Sequence, residues 1–352
     1  MNYQQISREK FEALKHKKDV LILSVESSCD ETAIAIVKNG REVLSNVVST
    51  QIEIHKKFGG VVPEVASRNH IKNISSVLDE ALLQANKTLQ DIDAIAVTYG
   101  AGLMGALLVG VNFAKTLAYA LKIPLIAVSH VHGHIGANYI SHKDLKPPFL
   151  CLMVSGGHTA IVEVQDYCKF NLVGTTVDDS VGECFDKVAR VLGLSYPGGP
   201  NIDKLAKQGQ NCVKFNYKPP LRDSFNFSFS GLKTAVVNFV HNKQQKNEEY
   251  SKENIACSFQ ELATDELVSK TMRACKTLKK DKLVVAGGVG ANSNLREKLV
   301  KFGKENNVQV FMPDLKYCTD NGAMIGSIAY YYVLAGLGLA DLTLTAKPVV
   351  GI

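Results

Sequence analysis

LILSVESSCDETAIAIVKNGREVLSNVVST, residues 21–50, is answered later in the chain by LCLMVSGGHTAIVEVQDYCKFNLVGTTVDD, residues 150–179. Each stretch begins with an apolar strand and a small polar turn. Thr-Ala-Ile, at 32–34 and again at 159–161, then opens a second, alternating strand. A tight turn, Asn39-Gly40 in the first copy, leads into a third strand, because Asn-Gly tolerates the positive φ of a two-residue hairpin.

Each copy is followed by helical periodicity and a further apolar strand, DAIAVTYG at 93–100 and KLVVAGG at 282–288. Strands alternating with helices imply α/β layers with mixed sheets. A duplicated β-β-β-α-β-α unit with a polar turn between its first two strands points to the two-lobed ATPase-like fold of actin, sugar kinases and heat-shock chaperones. In that architecture both turns face one cleft and hold phosphates. The expected divisions are an N-terminal extension over 1–19, a first lobe over 20–145 and a second over 146–352. The second carries helical insertions and a C-terminal helix returning to the cleft. The lobe boundary is expected near SHKDLKPPF, 141–149, where charges and two prolines break the pattern.

The 352 residues are 46% hydrophobic, enough for two real cores. Lysine and arginine exceed aspartate and glutamate by 40 to 34, a net charge of +6. That tolerates an anionic partner without demanding one. Eight scattered cysteines with no C-x-x-C pair fit reduced thiols in a cytoplasmic protein. Two uncharged runs, 94–114 and 322–340, raise the membrane question, but glycine breaks both, and we expect buried α/β elements and no membrane.

Three histidines, His130, His132 and His134, stand within VSHVHGHIGANYI, 128–140. Positions 130 and 134 share a helix face, so they can bite one ion while His132 points elsewhere. A third ligand is needed. Asp320, in the turn CTDNG before an apolar helix, supplies one if the fold brings that turn alongside; otherwise it belongs to a helix cap. Two histidines and a carboxylate suit non-haem Fe(II) or catalytic zinc. Glycine-rich turns occur at MVSGGHTA (153–160), YPGGPNID (196–203) and AGGVGANSN (286–294). None is a Walker loop, yet each lets backbone N–H groups approach an anion. Asp186 reads either as a ligand contact or as a helix N-terminal charge.

The ordered motifs SSCDETA (27–33), GGVVPEVASRNH (59–70), HVHGH (130–134), VSGGHT (154–159), FDKVARVLGL (185–194), SFSGLKTA (228–235), GGVGAN (287–292) and CTDNGAMIG (318–326) resemble the tRNA N6-adenosine threonylcarbamoyltransferase family, bacterial type. The likeness covers about residues 20 to 345. It implies transfer of L-threonylcarbamoyl from threonylcarbamoyl-AMP to N6 of the adenosine 3′ of the anticodon, in tRNAs reading A-starting codons, with release of AMP. It implies His130, His134 and Asp320 as ligands of one metal, iron or sometimes zinc. It implies Met153, Val154, Ser155, Gly156, Gly157, Asp186, Gly199, Asp203 and Asn292 as substrate contacts. A degenerate paralogue subunit and a small ATPase subunit are the implied partners. Asp30 and Glu31 stand at the first polar turn as candidates for proton transfer. Glu64, Arg68 and Lys233 are open between tRNA contact and solvated ion pairs. A kinase on this fold would leave the histidine pair unexplained. A metalloprotease would need H-E-x-x-H, and the sequence here is His130-Val131-His132-Gly133-His134. A nucleotide switch that only docks partners would turn over nucleotide without tRNA.

Overall fold

In a computed structural model that describes residues 2–351, the chain forms two compact units. The first comprises the residues up to Pro147, the short turn Asp166–Lys169, and Pro313 onward; the second comprises Pro148–Gln165 and Phe170–Met312.

The first unit opens with helix α1 (Tyr3–Leu14), then the meander β1 (Leu21–Glu26), β2 (Glu31–Lys38) and β3 (Glu42–Thr50). Asn39 and Gly40 take φ of 51° and 69°, the positive values the tight turn demands. The short helix α2 (Ile52–His55) leads to α3 (Pro63–Ala85), whose proline suits the first turn, where its missing N–H costs nothing. Strand β4 (Ala94–Gly100), helix α4 (Met104–Leu121), strand β5 (Leu125–Ser129) and helix α5 (His130–Ser141) follow. The second unit repeats the scheme with β6 (Phe149–Val154), β7 (Thr159–Asp166) and β8 (Lys169–Thr175). Helices α6 (Val181–Val191), α7 (Gly198–Ala206), α8 (Ser230–Gln245) and α9 (Lys252–Thr277) come next. Strand β9 (Lys282–Ala286), helix α10 (Ser293–Asn306) and strand β10 (Gln309–Phe311) complete it. The chain then returns to the first unit as α11 (Gly322–Ala335) and β11 (Leu339–Ala340).

The two sheets run β11-β5-β4-β1-β2-β3 and β10-β9-β6-β7-β8. Apart from the edge strand β11 the orders correspond strand for strand: an antiparallel meander, then parallel additions beside its first strand. This is the duplication the sequence implied, with the actin-like ATPase unit built twice. Strand β1 is almost wholly buried because helices cover both faces of the first sheet, α3 and α4 on one side and α11 on the other. Leu23, Val25, Ile34, Ile36, Val97 and Val111 are central to that core.

The expected division placed everything after 145 in the second lobe. In the structure, residues 313–351 pack with the first unit. The physical reason is the apolar face of α11, which seats on α5 and on β1 and β2, while Leu339 and Ala340 pair with Ile126 and Leu125. By length and composition one helix, Met104–Leu121, could cross a membrane. It lies against β4, with Ala106, Leu107, Val111, Ala114 and Ala118 buried. The run 322–340 divides into the 14-residue α11 and a short strand.

Candidate metal centre and glycine-rich turns

His130 is the first residue of α5 and follows β5 without a linker; His134 lies one turn on. Their rings meet edge to face with centroids 4.7 Å apart. Asp320 arrives from the turn before α11, and small residues make that approach possible. A Cβ on Gly133 would stand 2.6 Å from Ile325 Cδ1, and one on Gly136 would stand 2.8 Å from the Met324 carbonyl. Bare backbone at both positions lets α5 and α11 pack closely. The start of α11 is fixed in turn: Ser24 Oγ donates to the Gly322 carbonyl at 2.7 Å, and the Ala323 N–H donates to Asn46 Oδ1 at 3.0 Å. Asn321 caps the helix by accepting from the Met324 N–H.

The result is a compact donor set. One atom each from His130, His134 and Asp320 lies within 4.8 Å of the others. Asp320 Oδ1 is 3.5 Å from His130 Nε2 and 3.3 Å from His134 Nε2. His134 is buried, and neither ring nitrogen makes a hydrogen bond. A buried imidazole left without hydrogen bonds is costly unless something else takes its lone pair. The set therefore fits a divalent metal by geometry and by donor chemistry.

The electrostatics agree. Burial pushes the His130 ring toward the neutral form, but Asp320 and Glu26 outweigh it and hold its pKa up at about 9. The pocket thus favours positive charge at this spot. Burial also raises Glu26, yet the neighbouring His130 brings its carboxyl below the usual range. Glu31 is held well above the usual range by burial, then by Asp30 and Asp320. His132 points elsewhere: its Nδ1 is 2.5 Å from the Tyr332 hydroxyl, and burial lowers its pKa to about 4. Glu64 and Arg68 form an exposed i,i+4 ion pair at 2.7 Å on α3.

Sequence reasoning missed Glu26. Its one signal is a single carboxylate ending LILSVE, a strand otherwise uncharged and mostly apolar. It is fully buried, and Thr98 and Ser28 stand beside it.

In the second unit the expected substrate residues gather around the end of β6. Met153 and Val154 are buried in that strand, while Gly156 and Gly157 are exposed, with open space where a side chain would stand. Gly287, at φ 95°, comes so near that a Cβ would meet the Val154 carbonyl at 2.4 Å. The start of α6 reaches the same turn: Ser180 Oγ donates to the Gly156 carbonyl, and the Val181 N–H donates to Thr159 Oγ1 at 2.8 Å. Asp186 accepts from the Gly198 N–H at 2.7 Å and so ties α6 to the glycine turn that starts α7; Gly199 beside it has open space. Asp203 accepts from Ser293 Oγ at 2.7 Å, and the buried Asn292 caps α10. Lys233 pairs with Asp179 at 2.7 Å.

Residues 42–327 match the family model described as tRNA N6-adenosine threonylcarbamoyltransferase. Relatives of that name from Clostridium perfringens and Clostridium novyi are each 56% identical, over 93% and 94% of this chain and 97% of their own. The chain belongs to the tRNA N6-adenosine threonylcarbamoyltransferase family. Members of this threonylcarbamoyltransferase family modify tRNA, and the chain is an acyltransferase of that kind. Solved structures show the fold alone. HypF from T. kodakarensis aligns with a TM-score of 0.62 at 14% identity, over 90% of this chain and 48% of its own. Component A of the Acidaminococcus fermentans (R)-2-hydroxyglutaryl-CoA dehydratase aligns at 0.53 and 13%, over 89% and 99%.

Proposed function

We propose that this chain moves the L-threonylcarbamoyl group of threonylcarbamoyl-AMP to N6 of the adenosine 3′ of the anticodon, in tRNAs that read A-starting codons. The observation that carries the reading is a near-full-length match to the threonylcarbamoyltransferases together with a compact set of two buried histidines, His130 and His134, and the half-buried Asp320. In the step, the N6 amine attacks the carbamoyl carbon. The new C–N bond replaces the C–O bond to phosphate, N6 gives up a proton, and AMP leaves.

His130, His134 and Asp320 would hold a divalent metal, iron or else zinc. Such a cation supplies Lewis acidity toward the threonylcarbamoyl group. Backbone N–H groups of Gly156 and Gly157 suit the leaving phosphate, because no side chain screens the two glycines; Ser155, whose own N–H donates to the His158 carbonyl at 2.8 Å, shapes the turn that presents them. Met153 and Val154 are buried, so any contact from them is main-chain. Asp186 and Asp203 shape the turns around Gly199 and Asn292, which complete the adenylate site. Asp30 and Glu31 are the carboxyl groups available for the N6 proton.

Partners follow from the same reading: tRNA, a degenerate paralogue subunit and a small ATPase subunit, in the cytoplasm and away from membranes. Apolar side chains left exposed on α3 and α4, Ile71, Leu83, Met104 and Tyr119, support a protein partner. A charge of +6 supports weak, salt-sensitive tRNA binding by the chain alone. Reconstitution with adenylate, tRNA and partners, followed by nucleoside analysis of the tRNA, tests the proposal. Threonylcarbamoyladenosine with matching AMP release is expected. Nucleotide turnover that ignores tRNA would point to a kinase or switch.

A further inference from the structure

Strands β1, β4 and β5 lie side by side in the first sheet, and the ends of all three converge on one buried carboxylate. Glu26, the last residue of β1, is 0% exposed. Its Oε1 accepts the Ser28 N–H at 2.5 Å, and its Oε2 accepts the Thr98 hydroxyl at 2.5 Å. The same Oε2 faces His130 Nδ1 at 3.2 Å, with Ser28 Oγ at 3.1 Å from that nitrogen. The ion pairs found among the described residues give Glu26 no lysine or arginine. A buried carboxylate without such a partner is expensive, and an apolar side chain would fill a strand end at lower cost.

We propose that Glu26 is the positioning residue of the metal centre: by accepting a hydrogen bond from His130 Nδ1 it fixes the tautomer whose Nε2 lone pair faces Asp320. The inference rests on the metal reading above. A ligating histidine commonly donates its second ring N–H to a carboxylate, which sets ring orientation and increases ligand basicity. His134 has no such support, since its Nδ1 makes no hydrogen bond. The two histidines therefore differ: the far ring nitrogen of His130 is held by Glu26, whereas that of His134 has no hydrogen bond. Glu26 also contributes a second negative charge beside that of Asp320, enough to balance a divalent cation.

Glu26→Gln tests this, because three donors converge on a carboxylate that an amide can only half replace. With its oxygen toward Ser28, the amide NH2 faces His130, which must then accept at Nδ1 and carry its proton on Nε2. The Thr98 hydroxyl can rotate away. Zinc titration of the purified chain should show affinity about 10- to 100-fold weaker in Glu26→Gln. Thr98→Val, which keeps the carboxylate, should stay within about threefold, and Glu26→Asp should recover part of the loss. Histidine nitrogen NMR of the zinc-loaded wild type should show His130 protonated at Nδ1, a readout that stands even where a variant fails to fold. Equal zinc affinity in Glu26→Gln, an equal loss in Thr98→Val, or an unprotonated Nδ1 in the loaded wild type would overturn the inference. Wild type that takes up no zinc, or His130→Ala that binds as well as wild type, would instead remove the metal reading.

Discussion

Gly136 and Gly133 lie on the same helix and face the same neighbour, yet adding one methyl group to each should have different consequences. A Cβ at Gly136 would meet the Met324 carbonyl oxygen at 2.8 Å and the Ile328 Cβ and N at 3.2 Å. Carbon–oxygen contacts settle at roughly 3.3–3.6 Å, so the backbone of α11 must retreat by about half an ångström. Overpacking of that kind costs about 1–3 kcal/mol, and the better helix propensity of alanine returns about 1 kcal/mol. Gly136→Ala should therefore lose roughly 0–2 kcal/mol. At Gly133 the near contact is Ile325 Cδ1 at 2.6 Å, the free end of a side chain that can turn away. Gly133→Ala should be close to neutral or slightly stabilising. Because α11 carries the Asp320 turn, its retreat should also weaken zinc binding, several-fold in Gly136→Ala and little in Gly133→Ala. Urea unfolding and zinc titration of both variants measure the two effects together. If Gly136→Ala is the more stable variant and keeps its zinc affinity, close helix packing is not what brings Asp320 to the histidines.

His130→Ala, His134→Ala and Asp320→Ala should each lose metal by elemental analysis and lose transfer while the sheets stay folded; His132→Ala, whose partner is Tyr332, should keep its metal. Lys280, then Gln165 and Asn171, hold the Glu163 carboxyl down at about 2. Its contribution to stability is present above the unfolded carboxylate value, about 4.3, and is lost as pH falls through about 2. Glu163→Gln should be less stable than wild type at neutral pH, with the gap closing near pH 2 in thermal melts; a gap independent of pH would reject the ion pair as its cause. Burial, then Asp30, Asp320 and Glu31, push the Cys29 thiol well above its ordinary range, so alkylation should label the exposed Cys212 first. Cys29→Ala should retain transfer; loss of activity in a folded, metal-loaded variant would give that thiol a role.

What the sequence made legible was periodic or local. The two meanders could be read because each strand carries its own pattern and each turn its own residues, down to the positive φ of Asn39 and Gly40. The histidine pair could be read because a helix fixes the geometry of residues four apart. The placement of residues 313–351 could not, since α11 is apolar nearly all round and its pattern selects no neighbour. That choice lies in shape, in Gly133 and Gly136 on one helix and Met324, Ile325 and Ile328 on the other, and shape complementarity across helices leaves no periodic trace. Glu26 was hidden for a related reason. A lone carboxylate at a strand end ordinarily marks where the chain reaches solvent. Here the strand end lies beneath α5, where Ser28, Thr98 and His130 meet the carboxylate from three separate segments. Residues that act on the metal directly share a motif, whereas the residue that orients one of them is joined to it only by the order of strands in the sheet.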